Sequence, residues 1–225
     1  MKHVAIAIDG PAAAGKSTVA KIVAKRLGFV YIDTGAMYRA FTWYVLHRGL
    51  DPKNEEASCS LIPEVRISLK EDGSVFVCGH DVTRTIREPL VSSNVSYIAS
   101  YKGIRLALID LQRELGEKDN CVMDGRDIGS YVLPHAEVKI FQIASVETRA
   151  KRRFLENQEK GIPTTYEEVV ADVKNRDYID SHRDFDPLMQ AEDAIPLDTS
   201  DMTIEEVVDA ILRIVEEKTG VKACR

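Results

Sequence analysis

A phosphate-binding pattern lies near the start of the chain. Residues 10–17 read G-P-A-A-A-G-K-S, which satisfies G-x-x-x-x-G-K-[ST], between a predicted strand and a predicted helix. In such loops the glycines fold around phosphates, the lysine reaches the β- and γ-phosphate oxygens, and the hydroxyl binds Mg²⁺. We therefore predict an ATP site in which Lys16 acts on the transferred phosphate and Ser17 is the metal ligand. The predicted ATP-binding residues are Gly10, Pro11, Ala12, Ala13, Ala14, Gly15, Lys16, Ser17 and Thr18.

Three arginines recur at helical spacing after the fourth predicted strand. Arg149, Arg152 and Arg153 stand at i, i+3 and i+4 and so share one helix face, and Gly161 and Pro163 follow where a hinge could lie. One interpretation is a solvated helix face. The other is a lid that neutralises charge on a transferred phosphoryl group and excludes water. The spacing alone leaves both interpretations open.

A second charged set also falls at helical spacing. Arg176, Asp180 and Arg183 stand at i, i+4 and i+7, which predicts one face of one helix. The carboxylate could hold both guanidinium groups as an ion-pair scaffold, or it could bind a sugar hydroxyl.

Two polar loops follow predicted strands. The loop D-G-R-D-I-G at residues 124–129 closes the strand at 121–123, and D-T-G-A-M-Y-R at residues 33–39 follows the strand at 29–32. Open α/β folds bind ligands at the carboxyl edge of the sheet, where the phosphate loop also lies. The second loop offers another helix N-terminus and an arginine for an anion. Two anion sites on one edge predict a phosphate donor and an acceptor.

The elements that must position these residues alternate along the chain. Apolar runs at residues 4–8, 29–32, 121–123, 138–143 and 194–197 are separated by segments with helical features. This alternation predicts an α/β fold with a parallel sheet covered on both faces. Gly28 follows the first helix, and capping boxes are predicted at Thr165 with Glu168 and at Thr203 with Glu206.

One segment breaks the alternation. Runs at residues 65–69 and 75–78 flank Glu71, Asp72, Gly73 and Ser74, a pattern that predicts an antiparallel hairpin. We interpret residues 60–90, approximately, as an insert within a single unit that spans residues 1–225.

Composition limits the class of protein. The chain has 225 residues, 44% of them hydrophobic, and a net charge of -6, which fits a globular enzyme and gives no support to duplex binding. Its four cysteines stand far apart, which favours reduced thiols over a zinc site or disulfides. Residues 1–9 carry no basic segment with a cleavage site, and no apolar stretch approaches 18 residues. We expect a cytoplasmic monomer that binds neither nucleic acid nor a membrane.

Other proteins also carry a phosphate loop. A GTPase switch would need an N-K-x-D pattern, and a nucleic-acid ATPase a basic surface; the sequence offers neither. A kinase of a small hydroxyl metabolite could use Asp33 to orient or deprotonate the hydroxyl, but it would need fewer arginines. An ATP-binding regulatory module would show no acceptor-dependent ADP release. A kinase with an anionic acceptor fits the arginines best.

Taken together, the motifs resemble those of the bacterial cytidylate kinases, in the nucleoside monophosphate kinase family. The resemblance runs nearly end to end and rests on residues 8–11, on the loops at 33–39 and 124–129, and on Arg176, Asp177, Asp180 and Arg183. It implies a P-loop NTPase fold with a central five-stranded parallel sheet. It also implies a small monophosphate-binding insert that matches the hairpin, and a short lid at about residues 149–163.

The resemblance implies substrate-binding roles, residue by residue. The residues expected around the acceptor phosphate are Thr34, Tyr38, Arg39, Arg126 and Arg183. Those expected at the sugar are Arg176 and Asp180, and those expected at the cytosine edge are Ser96, Arg105 and Asp127, with Asp124 in the adjoining loop. The expected catalytic residues are Lys16, Arg126, Arg149, Arg152, Arg153 and Arg183. Thr34 stands where the family often has serine, a change that keeps the hydroxyl.

The predicted reaction is transfer of the γ-phosphate of Mg-ATP to CMP and dCMP, giving ADP and the diphosphate. A phosphate monoester with a second pKa of about 6 is largely dianionic at neutral pH, so its oxygen is already a nucleophile. Positioning and charge neutralisation then do most of the work, and no strong general base is needed. The alternative acceptors are another nucleoside monophosphate or a small hydroxyl metabolite.

Overall fold

The computed structural model describes residues 3–70 and 72–224, so Glu71 of the predicted hairpin and the first two residues lie outside the described residues. The strands are β1 (Ala5–Asp9), β2 (Val30–Asp33), β3 (Ile67–Leu69), β4 (Val75–Val77), β5 (His80–Asp81), β6 (Cys121–Gly125), β7 (Val138–Ile143) and β8 (Ile195–Asp198). The helices are α1 (Lys16–Leu27), α2 (Thr34–His47), α3 (Glu55–Cys59), α4 (Pro89–Ser100), α5 (Lys102–Gly116), α6 (Val146–Glu159), α7 (Tyr166–His182) and α8 (Ile204–Thr219). A 3-10 turn lies at Thr85–Arg87 and a π-helical turn at Ile128–Val132. No helix within the described ranges is long and apolar enough to cross a membrane.

Five strands form the main sheet, in the order β2-β6-β1-β7-β8, and all of their pairings are parallel. The predicted α/β fold with a five-stranded parallel sheet is therefore confirmed. Each predicted apolar run forms one of these strands, with ends within two residues of the prediction. Since β6 lies between β1 and β2, the loop after β6 emerges between the loops that follow the other two strands.

Helices cover both faces of this sheet, as the apolar strands require. Ile6 and Ala7 of β1 are fully buried and point in opposite directions. Ala7 belongs to the core cluster that contains Ile104 of α5, whereas Ile6 belongs to the cluster with Val23 of α1 and Ile211 of α8. The sheet is thus held between two hydrophobic cores, and its carboxyl edge is left for polar loops.

A second, antiparallel sheet has the order β3-β4-β5. The predicted hairpin is confirmed by β3 and β4, in which Ile67 pairs with Val77. The third strand, β5, is two exposed residues long and therefore too short to show the alternation that predicts strands. Val75 and Val77 share a core cluster with Ala36 and Ala40 of α2, so the small sheet is attached to the helix that follows β2.

The predicted helix ends are confirmed except at one residue. Gly28 ends α1 in the left-handed conformation (φ 68°), and both capping boxes are present, at the starts of α7 and α8. The prediction that Arg183 lies on the face of a helix is wrong, because α7 ends at His182. Arg183 has extended backbone (φ −67°, ψ 143°), and its Nε donates to the carbonyl oxygen of Asp186 at 2.6 Å, which closes the turn after the helix.

Candidate active site

The loops after β1, β2 and β6 line one cavity of about 730 Å³ at the carboxyl edge of the main sheet. Every predicted site residue lines this cavity except Gly10, Pro11, Ala12 and Arg149. Residues that are distant in the sequence, such as Ser96 of α4 and Arg176 of α7, therefore meet at the edge where the sequence predicted both anion sites.

The phosphate loop runs close to β7. Gly10 has φ 148°, and a Cβ atom there would lie 2.0 Å from the carbonyl oxygen of Gln142, so only glycine fits. Gly15 is left-handed (φ 91°) and directly precedes α1. The N–H groups of the first turn of α1 have no partner within the helix, and they lie at the end of the helix that borders the cavity. Lys16 Nζ donates to the Pro11 carbonyl at 2.8 Å. Burial and the nearby Arg126 hold the pKa of Lys16 well below its usual value, an arrangement that a bound polyphosphate would relieve.

Ser17 and Asp124 form the contact that fits a magnesium ion. Ser17 Oγ donates to Asp124 Oδ2 at 2.7 Å, and Tyr31 Oη donates to the other carboxylate oxygen at 2.8 Å. Burial raises the pKa of Asp124, so a cation beside this carboxylate would be stabilised. Mg²⁺ typically binds through one or two carboxylates and hydroxyls together with substrate phosphates and water. The sequence predicted Ser17 as the metal ligand, and the structure adds Asp124 as its partner.

Arg149 differs from the other two arginines of α6. It is buried, and its nitrogens donate to the carbonyl oxygens of Ala144 (2.9 Å) and Ala12 (3.0 Å) and pair with Asp177 at 2.7 Å. Asp177 also accepts from the backbone N–H of Ala12 at 3.4 Å. Arg149 therefore holds the back of the phosphate loop in this conformation, and it does not face the cavity.

Arg152 and Arg153 do face the cavity. Arg152 donates to the carbonyl oxygens of Ala14 (3.2 Å) and Thr199 (2.7 Å), which links α6 to the phosphate loop and to the segment after β8. Among the described residues, Arg153 forms an ion pair only with Glu156 of its own helix, at 3.3 Å, and its side chain is 31% exposed. Of the two, Arg153 is the freer to move toward a ligand.

Paired charges line the other half of the cavity. Arg39 of α2 contacts Asp33 at 3.1 Å, and Arg126 Nε donates to Asp180 of α7 at 2.9 Å. Asp180 is buried, and three arginines hold its pKa below the usual value even though burial alone would raise it. Thr34 donates to the Asp124 carbonyl at 2.7 Å, which joins the start of α2 to the end of β6.

Guanidinium groups around this half remain incompletely bonded. The Nε atoms of Arg39 and Arg176 and the Nη2 atom of Arg183 are buried and have no hydrogen-bond partner within residues 3–70 and 72–224. Burial and the neighbouring Arg126 lower the pKa of Arg176 to about 10. Buried guanidinium nitrogens that lack a hydrogen-bond acceptor beside a cavity favour an anionic ligand with several oxygens.

A fully buried arginine closes the far end of the cavity. Arg105 of α5 donates through Nη2 to both Asp127 and Asp186, the latter at 2.9 Å, and through Nη1 to the Ala99 carbonyl at 3.1 Å. Asp127 also lies 3.6 Å from Arg183. Ser96 is buried on α4 and lines the same end. The carboxylate of Asp127 and the Ser96 hydroxyl could therefore meet the polar edge of a base.

Sequence reasoning missed several residues near these groups. Arg87, in the 3-10 turn after the small sheet, lines the cavity and lies 3.4 Å from Asp33. Asp186 holds Arg105, and Met202, Ile204 and Val207 supply an apolar wall beside the phosphate loop. Met202, Ile204 and Val207 follow β8, the fifth strand of the main sheet. Their position could have indicated that they line the site, because the segment after β8 begins at the same edge of the sheet.

Asp33 does not have the environment of a general base. Burial would raise the pKa of Asp33, but Arg39 and Arg87 outweigh burial and lower it. Its carboxylate also accepts from the Ala36 backbone N–H at 2.7 Å. A carboxylate bound in this way is a weak base, which disfavours a hydroxyl acceptor activated by Asp33.

Several known proteins with similar sequences are cytidylate kinases. The sequence profile of the family described as "Cytidylate kinase" matches residues 6–217. A cytidylate kinase of Bacillus licheniformis is 52% identical over 96% of this chain and 98% of its own length. One from Anoxybacillus flavithermus is 53% identical, again over 96% of this chain and 98% of its own length.

Two solved structures with a similar fold are much more distant in sequence. An uncharacterized protein from Eubacterium ventriosum matches 96% of this chain and 99% of its own with a TM-score of 0.52 and 14% identity. A shikimate kinase from Acinetobacter baumannii, solved in complex with shikimate, matches 96% of this chain and 95% of its own with a TM-score of 0.50 and 16% identity. At such identities the likeness concerns the fold alone.

Proposed function

The chain belongs to the cytidylate kinase family, and we propose that the cavity at the carboxyl edge of its main sheet carries out that family's reaction. The chain is an ATP-dependent CMP kinase, which converts ATP and CMP into ADP and CDP. The γ-phosphorus loses its bond to the β–γ bridging oxygen and gains one to an oxygen of the CMP phosphate.

The ATP phosphates bind along the phosphate loop in this proposal. The N–H groups at the start of α1 and the ammonium group of Lys16 contact the β- and γ-phosphate oxygens. Ser17 and Asp124 hold Mg²⁺, which when bound neutralises phosphate charge. The apolar wall that includes Met202 and Ile204 receives the adenine ring.

The acceptor phosphate binds among the arginines of the opposite half. Arg39, Arg126 and Arg183 hold its oxygens beside Thr34 and Tyr38, and the dianionic phosphate attacks without a general base. The observation that carries this proposal is the set of buried guanidinium nitrogens that lack partners around a cavity which also contains the phosphate loop. A single anion site would only bind ATP, whereas two facing anion sites allow transfer of a phosphate from ATP to an acceptor.

The sugar and the base extend away from the phosphates. Asp180 and Arg176 face the ribose, and because a hydroxyl contact there would strengthen binding without being essential, we propose that dCMP is also a substrate. Cytosine has an N4 amino donor and an N3 acceptor, whereas uracil has the opposite pattern at both positions. A carboxylate at Asp127, supported by Arg105 and the Ser96 hydroxyl, favours the amino group of cytosine.

The proposed insert and the proposed lid serve the same reaction. We propose that the chain acts as one unit, with residues 60–90 as the monophosphate-binding insert and residues 149–163 as the lid. Arg87 at the end of the insert lies 3.4 Å from Asp33, which supports a role for this segment beside the acceptor. Arg152 and Arg153 of the lid act on the transferred phosphoryl group, while Arg149 supports the phosphate loop.

The remaining parts of the proposal concern where and how the protein acts. We propose a cytoplasmic monomer whose partners are small-molecule substrates, without a nucleic-acid or membrane partner. Supporting this, the net charge is -6 and the four cysteines are free, as expected in a reducing compartment.

The experiment that tests base selection compares CMP with UMP. We expect Asp127→Asn to lower the ratio of kcat/KM values for CMP and UMP by about tenfold or more, because the new amide donor faces the N4 amino group. ADP release would be measured with both acceptors. Asp110→Asn, an exposed change on α5, serves as the control and should keep the wild-type ratio. An unchanged ratio in Asp127→Asn would remove Asp127 from base recognition, and a wild-type protein that prefers UMP would contradict the proposal as a whole.

A further inference from the structure

Asp9 is a buried carboxylate for which the proposed chemistry has no role. It is the last residue of β1, is 5% exposed and does not line the cavity. Its two oxygens accept hydrogen bonds from consecutive backbone N–H groups, those of Ile128 at 2.9 Å and Gly129 at 2.7 Å. Both oxygens of one carboxylate are thus used to fix one peptide segment that is about 120 residues away in the chain.

The fixed segment begins directly after Asp127. Ile128 starts a single π-helical turn, and the first N–H groups of such a turn have no partner within it. Asp127 itself has an uncommon backbone conformation (φ −147°, ψ 20°), and the N–H groups of Tyr131 and Val132 bond back to its carbonyl. Two hydrogen bonds to the next two residues leave the backbone of Asp127 little freedom to rotate, so they set the direction of its side chain.

On its other side Asp9 borders the phosphate loop. The next residue is Gly10. A Cβ atom on Gly10 would lie 2.0 Å from the carbonyl oxygen of Gln142, so the backbone is closely confined there. Burial raises the pKa of Asp9 to about 7, with Asp127 adding to the rise and Lys16 opposing it. The carboxylate is therefore within electrostatic reach of one residue from each half of the cavity.

We propose that Asp9 is a positioning residue for base selection: it anchors residues 127–129 to the strand that carries the phosphate loop, so that Asp127 stays directed at the base of the acceptor. This role rests on the proposed function of Asp127, and Asp9 itself contacts no substrate. The two hydrogen bonds to Asp9 also fix the position of the base end of the acceptor pocket relative to the phosphate loop.

The test uses Asp9→Asn, which keeps the shape but turns one acceptor into a donor that faces a backbone N–H. We expect the KM for CMP to rise about tenfold, the CMP to UMP ratio of kcat/KM to fall about fivefold, and the KM for ATP to change less than about threefold. Ile211→Val is the matched control, because it removes one methylene from the core on the α8 side and lowers the melting temperature without touching the cavity.

A lowered ratio in Asp9→Asn with a wild-type ratio in Ile211→Val supports the positioning role. An unchanged ratio and KM for CMP in Asp9→Asn, or an equal loss in Ile211→Val, overturns it. If Asp9→Asn does not fold, Gly129→Ala decides by the same criteria, since its Cβ would lie 3.1 Å from the Lys139 side chain and 3.4 Å from the Asp9 oxygen that holds the same peptide. If the wild type itself has no CMP preference, the proposed base selection fails separately, and the KM for CMP relative to that for ATP still decides the role of Asp9.

Discussion

Arg105 shows how much of this site depends on single residues far apart in the chain. Its Nη2 atom bonds to Asp127, 22 residues away, and to Asp186, 81 residues away, so two carboxylates lie side by side on one guanidinium group. Asp186 reaches this position from a left-handed backbone (φ 51°), which is uncommon for a residue other than glycine. Two adjacent buried carboxylates do not both ionise easily.

The first prediction concerns the stability that this pair gives at different pH values. Burial and the neighbouring Asp127 raise the pKa of Asp186 to about 8, whereas the unfolded carboxyl titrates near its ordinary pKa of 3.8. The folded protein therefore binds an extra proton between these values, and the associated stability is full below about pH 4 and is lost as the pH rises to about 8. We expect the free energy of unfolding of the wild type, relative to Asp186→Asn, to fall steadily across this range.

Denaturant unfolding at pH 5, 6.5 and 8 would measure that difference. Asp9, whose pKa burial also raises to about 7, is present in both proteins and cancels in the comparison. A difference between the two proteins that is constant with pH would show that Asp186 does not take up the proton.

The place in the cavity of residues that belong to a recognisable motif could be predicted from the sequence, and that of residues without one could not. Lys16 and Ser17 follow from eight consecutive positions, because the chemistry of a phosphate loop is confined to its own backbone. Asp186 and Arg87 carry no local pattern, since each becomes relevant only through a partner more than 50 residues away. Arg149 had the right spacing, but only the packing shows that it faces the phosphate loop from behind.

At the scale of elements, α6 presents its arginines in two directions. Arg149 is fixed behind the phosphate loop, whereas Arg153 lines the cavity and, within the described part of the chain, has only an i+3 ion pair with Glu156. The Arg153 side chain, which is 31% exposed, can thus turn toward a bound phosphate while Arg149 keeps the start of the helix in place. This difference along one helix is what the proposed lid requires.

The second prediction tests that lid. Arg153→Ala should lower kcat by about tenfold to a hundredfold while the KM for CMP changes less than about threefold, because the arginine acts in the closed complex. Steady-state kinetics with saturating ATP would measure both constants. Lys151→Ala is the matched control, an exposed cation two positions earlier on α6, and should leave both constants near the wild-type values. A variant that only raises the KM for CMP would place Arg153 in acceptor binding and contradict its role in the lid.

The regular elements were more predictable than the irregular ones. The strands of the main sheet carry long apolar runs because helices cover both of their faces, so their ends were predicted within two residues. The π-helical turn at Ile128–Val132 leaves no pattern in the sequence, because its geometry depends on the carboxylate of Asp9 and on the packing of Ile128. The strand β5 was missed since two exposed residues contain no period.

At the scale of the whole molecule, the strand order brings the two halves of the site together. Because β6 lies between β1 and β2, Asp124 near its end contacts Ser17 of the phosphate loop, and Arg126 lines the same cavity as the loop after β2. In the proposed function, this one short loop serves both the ATP side and the acceptor side. The α/β sheet favours this arrangement, since parallel strands place all of their carboxyl ends at one edge.

Transfer of phosphate from ATP to CMP in this cavity is most directly tested by following CDP formation in wild type and Lys16→Ala. Phosphorus NMR of a mixture of ATP, CMP and Mg²⁺ would report ADP and CDP together, and the melting temperature and CMP binding of the variant would be measured beside it. We predict stoichiometric CDP and ADP from the wild type, and a loss of about 10²-fold or more in turnover for Lys16→Ala with its fold and CMP binding retained, because Lys16 neutralises charge that develops on the transferred phosphate. Near-normal CDP formation by Lys16→Ala, or ADP release by the wild type without CDP, would contradict this assignment.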